Sequence, residues 1–471
     1  MGYSQLYSML NVINKESFGA QAPVVKDTTS FISLGDVILS SETNVTMWYS
    51  ALQKKITRIL IAQRKGIGKK RRVRRDDMAW GAFIEKVHFK PTSMQTNSSW
   101  STSDHNPYTG ASYVEAKATI FGDSIGTFQS KMKYPVYQMY QAFRGEAQMQ
   151  AFITGMIERV EIDVEVAWNN LDILCECTNI AVALNSAVAG QKINVLYEMN
   201  KFLNKTGQNR ITVEAARSNK EFYRFFAALL DKLTHYLANE RSVEYNAGGF
   251  DKIVPKEYQV VEVLKDMATN AQYYLDADTY HNQLVSLPGY EEVDYWQTPG
   301  VHNKAFEDIS KINIIHDYFK DADTNPTGQV TQDGILAFIH DVESCASIIH
   351  RERDYSLFNP EDEHMIMWKK GDQEYMVDPA EDAIVLFMSD DFVELDHHTA
   401  TVTAAAGDSH TASLTASAPD GVTVSWKSSD TTTATVSSGT VTGVAAGTAV
   451  ITAYYNVNGV VYSDTCTVTV S

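Results

Sequence analysis

The sequence predicts an α+β chain that ends in a separate all-β domain, and three observations lead to this class. A long stretch with helical spacing runs from about residue 147 to residue 185. Shorter helical and strand-like patterns alternate elsewhere between residues 44 and 393, which is typical of an α+β domain. The composition then changes at Glu394, because the last 78 residues contain seventeen threonines, one lysine and no arginine.

Size and charge limit what the chain can be. Its 471 residues can bury one large core or two ordinary ones beside the C-terminal domain. A net charge of −18 argues against affinity for nucleic acid over the whole surface. No continuous apolar run approaches the length of a membrane span, so no membrane association is expected. The four cysteines form no Cys-x-x-Cys pair, and we expect them to be buried, reduced side chains.

Residues 1–75 are predicted to form an N-terminal arm. Residues 1–45 show weak periodicity, which indicates an extended segment with short helical pieces, whereas Asn44 to Ala62 has apolar residues at helical spacing. The chain opens Met1-Gly-Tyr-Ser without a basic segment and an apolar segment behind it, so no export is expected.

A strip of positive charge follows this helix. Thirteen lysines and arginines lie between Lys54 and Lys90, against three acidic residues. The candidate contact residues of this basic strip are Arg64, Lys65, Lys69, Lys70, Arg71, Arg72, Arg74 and Arg75. Such a strip can contact phosphates without reading sequence, dock on the acidic surface of a neighbouring subunit, or remain solvated. No aromatic residue interrupts it, which argues against a stacking platform for single strands.

Residues 76–138 are predicted to form a long two-stranded excursion, which serves as an extended loop. Strand-like patterns occur at Trp80–Phe89, Tyr113–Ile120 and Phe128–Val136, and a serine- and threonine-rich stretch over residues 91–112 lies between the first two. Because an isolated ribbon is only marginally stable in water, the excursion needs another surface to lie on. We therefore interpret it as a device for contacts between subunits.

The longest helix is predicted at about residues 147–185, where apolar residues recur every three or four positions without a proline. The rest of the domain, residues 186–393, is predicted to contain helices near Ser218–Asn239, Tyr258–Ala268 and Asp333–Arg351. Strand-like runs there lie near Lys252–Val254, Met365–Lys369 and Ala383–Phe387.

Residues 394–471, called here the C-terminal β-module, show alternating apolar and small polar residues separated by turn signals such as Asn458-Gly459. The predicted core is Leu414, Val424, Trp426, Val436, Val441, Ile451, Val468 and Val470. The runs from Val424 to Asp430 and from Ala446 to Ala453 resemble the bacterial immunoglobulin-like group 2 domain. That resemblance implies an independently folding sandwich, of a kind usually found on exposed surfaces.

The order of basic arm, extended loop, long helix and α+β domain resembles the major capsid proteins of tailed bacteriophages, with the HK-ninety-seven-like fold. Within them the nearest resemblance is to podophages of the phi-twenty-nine group, through the segment at Trp80-Gly81 and Glu85-Lys86 and the added immunoglobulin-like domain. The resemblance implies a peripheral domain with residues 147–185 as its spine helix, and an axial domain within residues 186–393. The absence of a long acidic N-terminal helix favours a separate scaffolding protein.

No catalytic constellation, cofactor site or metal site is predicted. Asp321 to Gly328 imitates a calcium loop, but Pro326 and Gln332 stand where glycine and glutamate are needed. The run His350 to Asp354 lacks the partners of a kinase loop and is interpreted as a charged helix end. The segment Gly66 to Lys70 lacks phosphate-loop spacing, and the pair His397-His398 lacks further ligands. An enzyme is therefore not expected.

Three classes of function compete: a self-assembling shell protein, a tail or cell-surface adhesin, and an intracellular hydrolase. An adhesin predicts a signal peptide or repeated modules, and a hydrolase predicts a nucleophile with its base, and the sequence contains neither set. The shell interpretation implies a virion capsid, icosahedral or prolate, assembled in the bacterial cytoplasm. Its implied partners are further copies in hexamers and pentamers, scaffolding protein, portal, packaged double-stranded DNA and, through the C-terminal β-module, host-surface or mucosal glycans.

Overall fold

The structure of the chain is a computed structural model. It describes residues 3–63, 74–75, 84–89, 116–121, 126–205, 210–239, 242–276, 288–297, 309–315, 329–359, 361, 363–404 and 410–471. The chain divides into two compact units. The first comprises Met1–Lys86, Ile120–Cys175 and Ala346–Met376, and the second comprises Val87–Thr119, Glu176–Cys345 and Val377–Ser471.

The described residues form helices α1–α9 and strands β1–β22. The helices are α1 Tyr3–Phe18, α2 Thr28–Leu39, α3 Glu42–Gln63, α4 Val136–Ala142, α5 Glu146–Asn185, α6 Val195–Lys205, α7 Val213–Ala216, α8 Lys220–Asn239 and α9 Lys265–Asp276. The first thirteen strands are β1 Arg74–Arg75, β2 Ile84–Phe89, β3 Ala116–Phe121, β4 Gly126–Pro135, β5 Lys192–Asn194, β6 Gln259–Leu264, β7 Glu291–Val293, β8 Ile312–Ile315, β9 Gln329–Gln332, β10 Ile335–Asp341, β11 Cys345–Asn359, β12 His364–Val377 and β13 Ala383–Phe387. The remaining strands are β14 Glu394–Leu395, β15 Thr399–Val402, β16 Thr411–Ser413, β17 Ala416–Ser417, β18 Ser425–Ser428, β19 Ala434–Ser437, β20 Thr440–Gly443, β21 Gly447–Val457 and β22 Val460–Val470.

The N-terminal helices of the first unit differ from the extended arm expected for residues 1–45. Helix α1 has 16 residues and α2 has 12, and Asp27 caps α2 in a reciprocal capping box with Ser30. Buried residues of α1–α3 share one apolar core with residues of α4, α5, β4 and β12. In α1, Leu6, Leu10 and Ile13 are fully buried in it. Tertiary packing therefore stabilises helices whose own periodicity is weak.

A four-stranded sheet in the order β1-β11-β12-β4 completes the first unit. Strand β4 runs antiparallel to β12 over ten residue pairs, from Gly126↔Gln373 to Pro135↔His364. Strands β2 and β3 form a separate two-stranded sheet, so the predicted excursion has paired strands at its base. Its predicted tip, residues 91–112, lies outside the described residues.

The second unit is built around a five-stranded sheet in the order β5-β13-β10-β6-β7. The central strands β13, β10 and β6 are antiparallel, and β10 and β13 are buried along almost their whole length. Helix α8 buries one face that includes Phe222, Phe226 and Leu230. Both α8 and β13 confirm the predictions for these segments.

Two helices predicted for this unit were wrong. The segment Asp333–Arg351 forms β10 and the first half of β11, and Tyr258–Ala268 contains β6 before α9 begins. All six residues of β6 are buried, so the strand shows no alternation of polar and apolar side chains. Such a run cannot be distinguished from a buried helix by periodicity alone. The run at Lys252–Val254 forms only an isolated bridge between Lys252 and Ser242.

The C-terminal β-module contains two main sheets that share one apolar core. Their strand orders are β15-β22-β21-β18 and β16-β20-β19, and β14 pairs with β17. Five of the eight predicted core residues are buried, and Val424, Trp426 and Val436 pack partly buried against them. Asn458 and Gly459 join β21 to β22 with φ of 50° and 78°, as their sequence predicts for a tight hairpin turn.

All four cysteines are buried, as expected, and each lies outside any disulfide in the structure. Among the described residues, no helix is long and apolar enough to cross a membrane.

Candidate functional site

The basic strip is described only at its end. Only the backbone of Arg74 and Arg75 is described. The other six residues of the strip lie outside the described residues, namely Arg64, Lys65, Lys69, Lys70, Arg71 and Arg72. Strand β1 pairs in parallel with β11, with Arg74 opposite Ser347 and Arg75 opposite Ile348. The strip therefore ends on the sheet of the first unit.

The base of the excursion has two dissimilar faces. Along β2, alternate residues Glu85, Val87 and Phe89 are exposed, and the apolar Phe89 is 64% exposed. His88 points to the opposite face and is only 5% exposed. The face of β2 that carries His88 is therefore packed against the rest of the chain. The face that carries Val87 and Phe89 is exposed and can contact a partner.

His88 belongs to a buried ionic cluster in the second unit, together with Lys252, Asp378 and Glu381. Nε2 of His88 lies 2.7 Å from Oδ2 of Asp378, and Nζ of Lys252 lies 2.6 Å from Oε2 of Glu381. The same Nζ lies 3.3 Å from Nδ1 of His88. Because an ammonium can only donate, Nδ1 accepts here, and Nε2 donates to Asp378. The cluster fastens β2 to the segment that follows β12.

Three members of this cluster, His88, Asp378 and Glu381, are close enough together to be considered as metal ligands. Their arrangement favours an ion-pair network instead. Asp378 faces Nε2 of the ring, whereas Glu381 lies 3.8 Å from Nδ1 on its other side. Lys252 already supplies the positive charge beside Glu381. The cluster is thus suited to holding a strand in place rather than an ion.

Asp382, the residue after Glu381, is a buried carboxyl whose charge is unfavourable. It is 2% exposed and accepts a hydrogen bond of 2.8 Å from Nδ2 of Asn246. Burial raises the pKa of Asp382 from 3.8 to about 6, although the Asn246 hydrogen bond and the charge of Lys252 act in the opposite direction.

This pKa predicts a pH dependence of stability. A carboxyl whose pKa is raised on folding stabilises the folded state below its unfolded pKa, and that contribution is lost as the pH rises from about 4 through about 6. We expect Asp382→Asn to remove on the order of 2–3 kcal/mol of this dependence. Urea unfolding of the unassembled full chain between pH 4 and pH 7 measures it. Asp420→Asn, an exposed aspartate, is the control, and equal pH profiles for both variants would contradict the prediction.

A second polar network joins the C-terminal β-module to the rest of the second unit. Asn194 caps α6 through the backbone amides of Leu196 and Tyr197, and its Nδ2 lies 2.8 Å from Oγ of Ser389 and 3.2 Å from Oη of Tyr462. The hydroxyl of Tyr197 donates to the carbonyl of Ser463 at 2.8 Å and accepts from the same residue's amide at 2.9 Å.

Three tyrosine rings surround this network, one pair edge-to-face and one pair stacked. The ring of Tyr462 lies 5.0 Å from that of Tyr197 and 5.3 Å from that of Tyr455. The hydroxyl of Tyr455 donates to Asp391 at 3.2 Å and accepts from the amide of Phe392 at 3.1 Å. Burial raises the pKa of Tyr462, so its hydroxyl stays protonated and available as a donor. The module therefore meets the preceding residues through a satisfied polar and aromatic interface.

Sequence reasoning found none of these anchoring residues. Single histidines, lysines and tyrosines have no motif of their own, and the hydrogen bond between His88 and Asp378 joins positions 290 residues apart. One signal was present in β2. The polar His88 alternates with the apolar Val87 and Phe89, and the polar side chain rather than the apolar ones is buried.

The remaining candidate motifs have ordinary surroundings where they are described. His350–Asp354 lies within strand β11 rather than at a helix end. His397 lies 3.2 Å from Asp396 and His398 lies 3.0 Å from Asp464, so the two rings serve different carboxylates. The segments Gly66–Lys70 and Asp321–Gly328 lie outside the described residues.

Comparison with known proteins defines the class: the chain is a structural protein of a phage capsid. More narrowly, it belongs to the Phi29-like phage major capsid protein family, whose model matches residues 10–387, well over half of the chain. It is thus a component of the phage particle, in a family of structural proteins. No curated protein matches the chain.

Several solved phage structures resemble the chain distantly. The capsid of Staphylococcus phage Andhra is 10% identical, with 67% of this chain and 82% of that chain covered and a TM-score of 0.41. A chain in the structure of the head fiber and inner core protein gp22 of bacteriophage P68 is 11% identical, with 67% and 83% covered and a TM-score of 0.41. The capsid of cyanophage P-SCSP1u is 9% identical, with 67% and 86% covered and a TM-score of 0.38.

Proposed function

We propose that this capsid protein assembles in many copies, as hexamers and pentamers, into an icosahedral or prolate shell that encloses double-stranded DNA. The observation that carries the proposal is the family match over residues 10–387. The proposed subunit has an HK-ninety-seven-like architecture, in which α5 is the spine helix and the β2–β3 excursion is the extended loop. Exposed Val87 and Phe89 at the base of the excursion support contacts with a neighbouring copy. Scaffolding protein and portal are its proposed assembly partners.

Electron microscopy of the expressed full chain, with and without scaffolding protein, tests this function. We expect closed shells or tubes of uniform wall thickness. Phe89→Glu would place a charge on the exposed apolar face of β2 and should reduce assembly, whereas Glu85→Gln on the same face is the matched control. A folded monomer that forms no particles, with or without scaffolding protein, would contradict the proposal.

The basic strip is proposed to hold a neighbouring subunit or the packaged genome by charge. Replacing Lys69, Lys70, Arg71, Arg72, Arg74 and Arg75 with glutamine should then weaken assembly or genome retention. In the wild-type particle the same property should weaken with added salt, because exposed charges are screened beyond about 8 Å at physiological ionic strength. Particle yield and DNA content across a salt series are the measurements.

Contact with DNA and contact with a neighbouring subunit are distinguished by which property of the particles is lost. Empty but closed shells from the substituted protein indicate contacts with DNA, and absent shells indicate contacts with a neighbour. The control carries the same change of charge at exposed lysines elsewhere, namely Lys15, Lys26, Lys232, Lys256, Lys265 and Lys427. Full, normal particles from the substituted strip would show that the strip is only solvated.

We also propose that the C-terminal β-module is an immunoglobulin-like group 2 domain on the outer face of the shell. Its two sheets around one core and its single lysine support this assignment. Two roles remain open, namely reinforcement of the shell and binding of host-surface or mucosal glycans. Many copies could raise a weak affinity by roughly a hundred to ten thousand fold. A tail or surface adhesin is the alternative function, and glycan binding by protein that forms no shells would favour it.

A further inference from the structure

Lys192, at the start of β5, is a buried lysine whose hydrogen-bond acceptors are both backbone carbonyls. The residue is 4% exposed. Its Nζ donates to the carbonyl of Leu184 at 2.9 Å and to that of Asn458 at 2.8 Å. Within the described part of the chain, no carboxylate forms an ion pair with it. Burial lowers the pKa of Lys192, and the two carbonyl acceptors favour the charged form of the buried ammonium.

The two acceptors belong to different parts of the second unit. Leu184 is the penultimate residue of α5, and the last four carbonyls of a helix have no partner within the helix. A cation is favourable at that end, because the helix dipole is negative there. Asn458 begins the turn that joins β21 to β22 in the C-terminal β-module. One ammonium thus connects the end of the long helix with the tip of a hairpin of the module.

The turn approaches Lys192 so closely that a side chain at its second position would displace the ammonium. A Cβ at Gly459 would overlap Nζ of Lys192. Gly459 also has φ of +78°, a conformation that favours glycine in any case. The module contains a second glycine with a similar backbone, Gly421, whose φ is +81° and whose Cβ would meet nothing within 4 Å. Alanine at either glycine causes similar backbone strain, but only alanine at Gly459 also disturbs the contact with Lys192. Comparison of the two variants therefore isolates the effect of that contact.

We propose that Lys192 is a positioning residue that holds the C-terminal β-module in one orientation against the end of α5. The module is then a fixed part of the shell subunit rather than a domain on a free tether. Asn194 and Tyr197, which follow Lys192, extend the same contact to Tyr462 and Ser463. Lys192 acts by holding the hairpin turn. The turn then keeps the neighbouring tyrosine network in its geometry.

Hydrogen exchange in the unassembled full chain tests this role. The amides of Phe392 and Ser463 donate to the hydroxyls of Tyr455 and Tyr197, so they report the junction. We expect Gly459→Ala to speed exchange in fragments that contain these amides by roughly tenfold or more over Gly421→Ala, because a hydrogen bond from a charged donor is lost. Exchange at the module's own core, around Val441 and Ile451, should stay unchanged.

A double-mutant cycle completes the test. In a Lys192→Ala background, where no ammonium is left to collide with, Gly459→Ala should add no more exchange than Gly421→Ala does. The proposal is overturned if Gly459→Ala has the same effect in both backgrounds. It is also overturned if exchange at the core of the module rises together with exchange at the junction, because Lys192 would then only stabilise the module's fold.

Discussion

Replacing Trp48 with alanine is expected to destabilise the first unit by about 3–5 kcal/mol, the cost of removing a fully buried aromatic side chain. Trp48 is 0% exposed, and its ring lies 5.4 Å from that of Phe143. Its indole N–H donates to Oδ1 of Asn14 at 3.0 Å, so α3 is joined to α1 by a buried hydrogen bond as well as by packing. The alanine variant leaves a cavity and an unsatisfied buried acceptor together.

Urea unfolding of the unassembled full chain, followed by helical circular dichroism, measures this loss. Met47→Ala is the matched control, since Met47 precedes Trp48 in α3 but is 40% exposed, and its replacement should change the free energy of unfolding by less than about 0.5 kcal/mol. Trp48→Phe keeps most of the packing and loses the hydrogen bond, so it should fall between the two. Equal unfolding midpoints for Trp48→Ala and Met47→Ala would show that the N-terminal helices are not part of a common core.

The core around Trp48 also shows where sequence reasoning failed. Apolar residues at helical spacing are present in α1, but asparagine, serine and lysine between them weaken the pattern. What stabilises the helix lies far along the chain, in residues such as Met149 and Met365, which share its core. A local pattern cannot report a partner of that kind, so the sequence predicts an extended arm for the N-terminal segment.

Elements with a strong period of their own were predicted well. Helix α5 was expected at about 147–185 and forms Glu146–Asn185, and β13 forms over Ala383–Phe387 as expected. The sequence predicts helices where the almost wholly buried strands β6 and β10 form, because burial on both faces removes the alternation that identifies a strand. The candidate basic strip followed from charge alone, whereas the buried ionic cluster and Lys192 depend on contacts that only the folded chain provides.

Stopping the chain after Val393 is expected to give shells that still close but break at lower temperature. The family match ends at residue 387, before the C-terminal β-module begins, which supports closure without the module. Removal of the module takes away the carbonyl of Asn458 from Lys192 and both hydrogen bonds between Tyr197 and Ser463. It also exposes the Tyr197 ring, which is 9% exposed in the full chain.

The stability of purified shells can be followed by heating them and recording release of DNA and loss of particles by light scattering. Each kcal/mol lost from a domain of 150–250 residues lowers its unfolding midpoint by about 2–4 °C, so the loss of several buried hydrogen bonds is measurable. Tyr197→Phe in the full chain is the matched control. It removes the two bonds to Ser463 while the module stays present, and it should reproduce part of the shift without any change in glycan adhesion.

Three outcomes of the truncation separate the roles proposed for the module. Heat-sensitive shells with unchanged adhesion to host-associated glycans indicate reinforcement, which the buried junction at Asn194, Tyr197 and Tyr462 favours. Shells of wild-type heat resistance that no longer adhere indicate display, and they would contradict the expected loss of stability. A truncated chain that folds but forms no shells would place the module in shell closure itself. In that case residues 394–471 would act as part of the shell domain, because the contacts between subunits would then depend on the module.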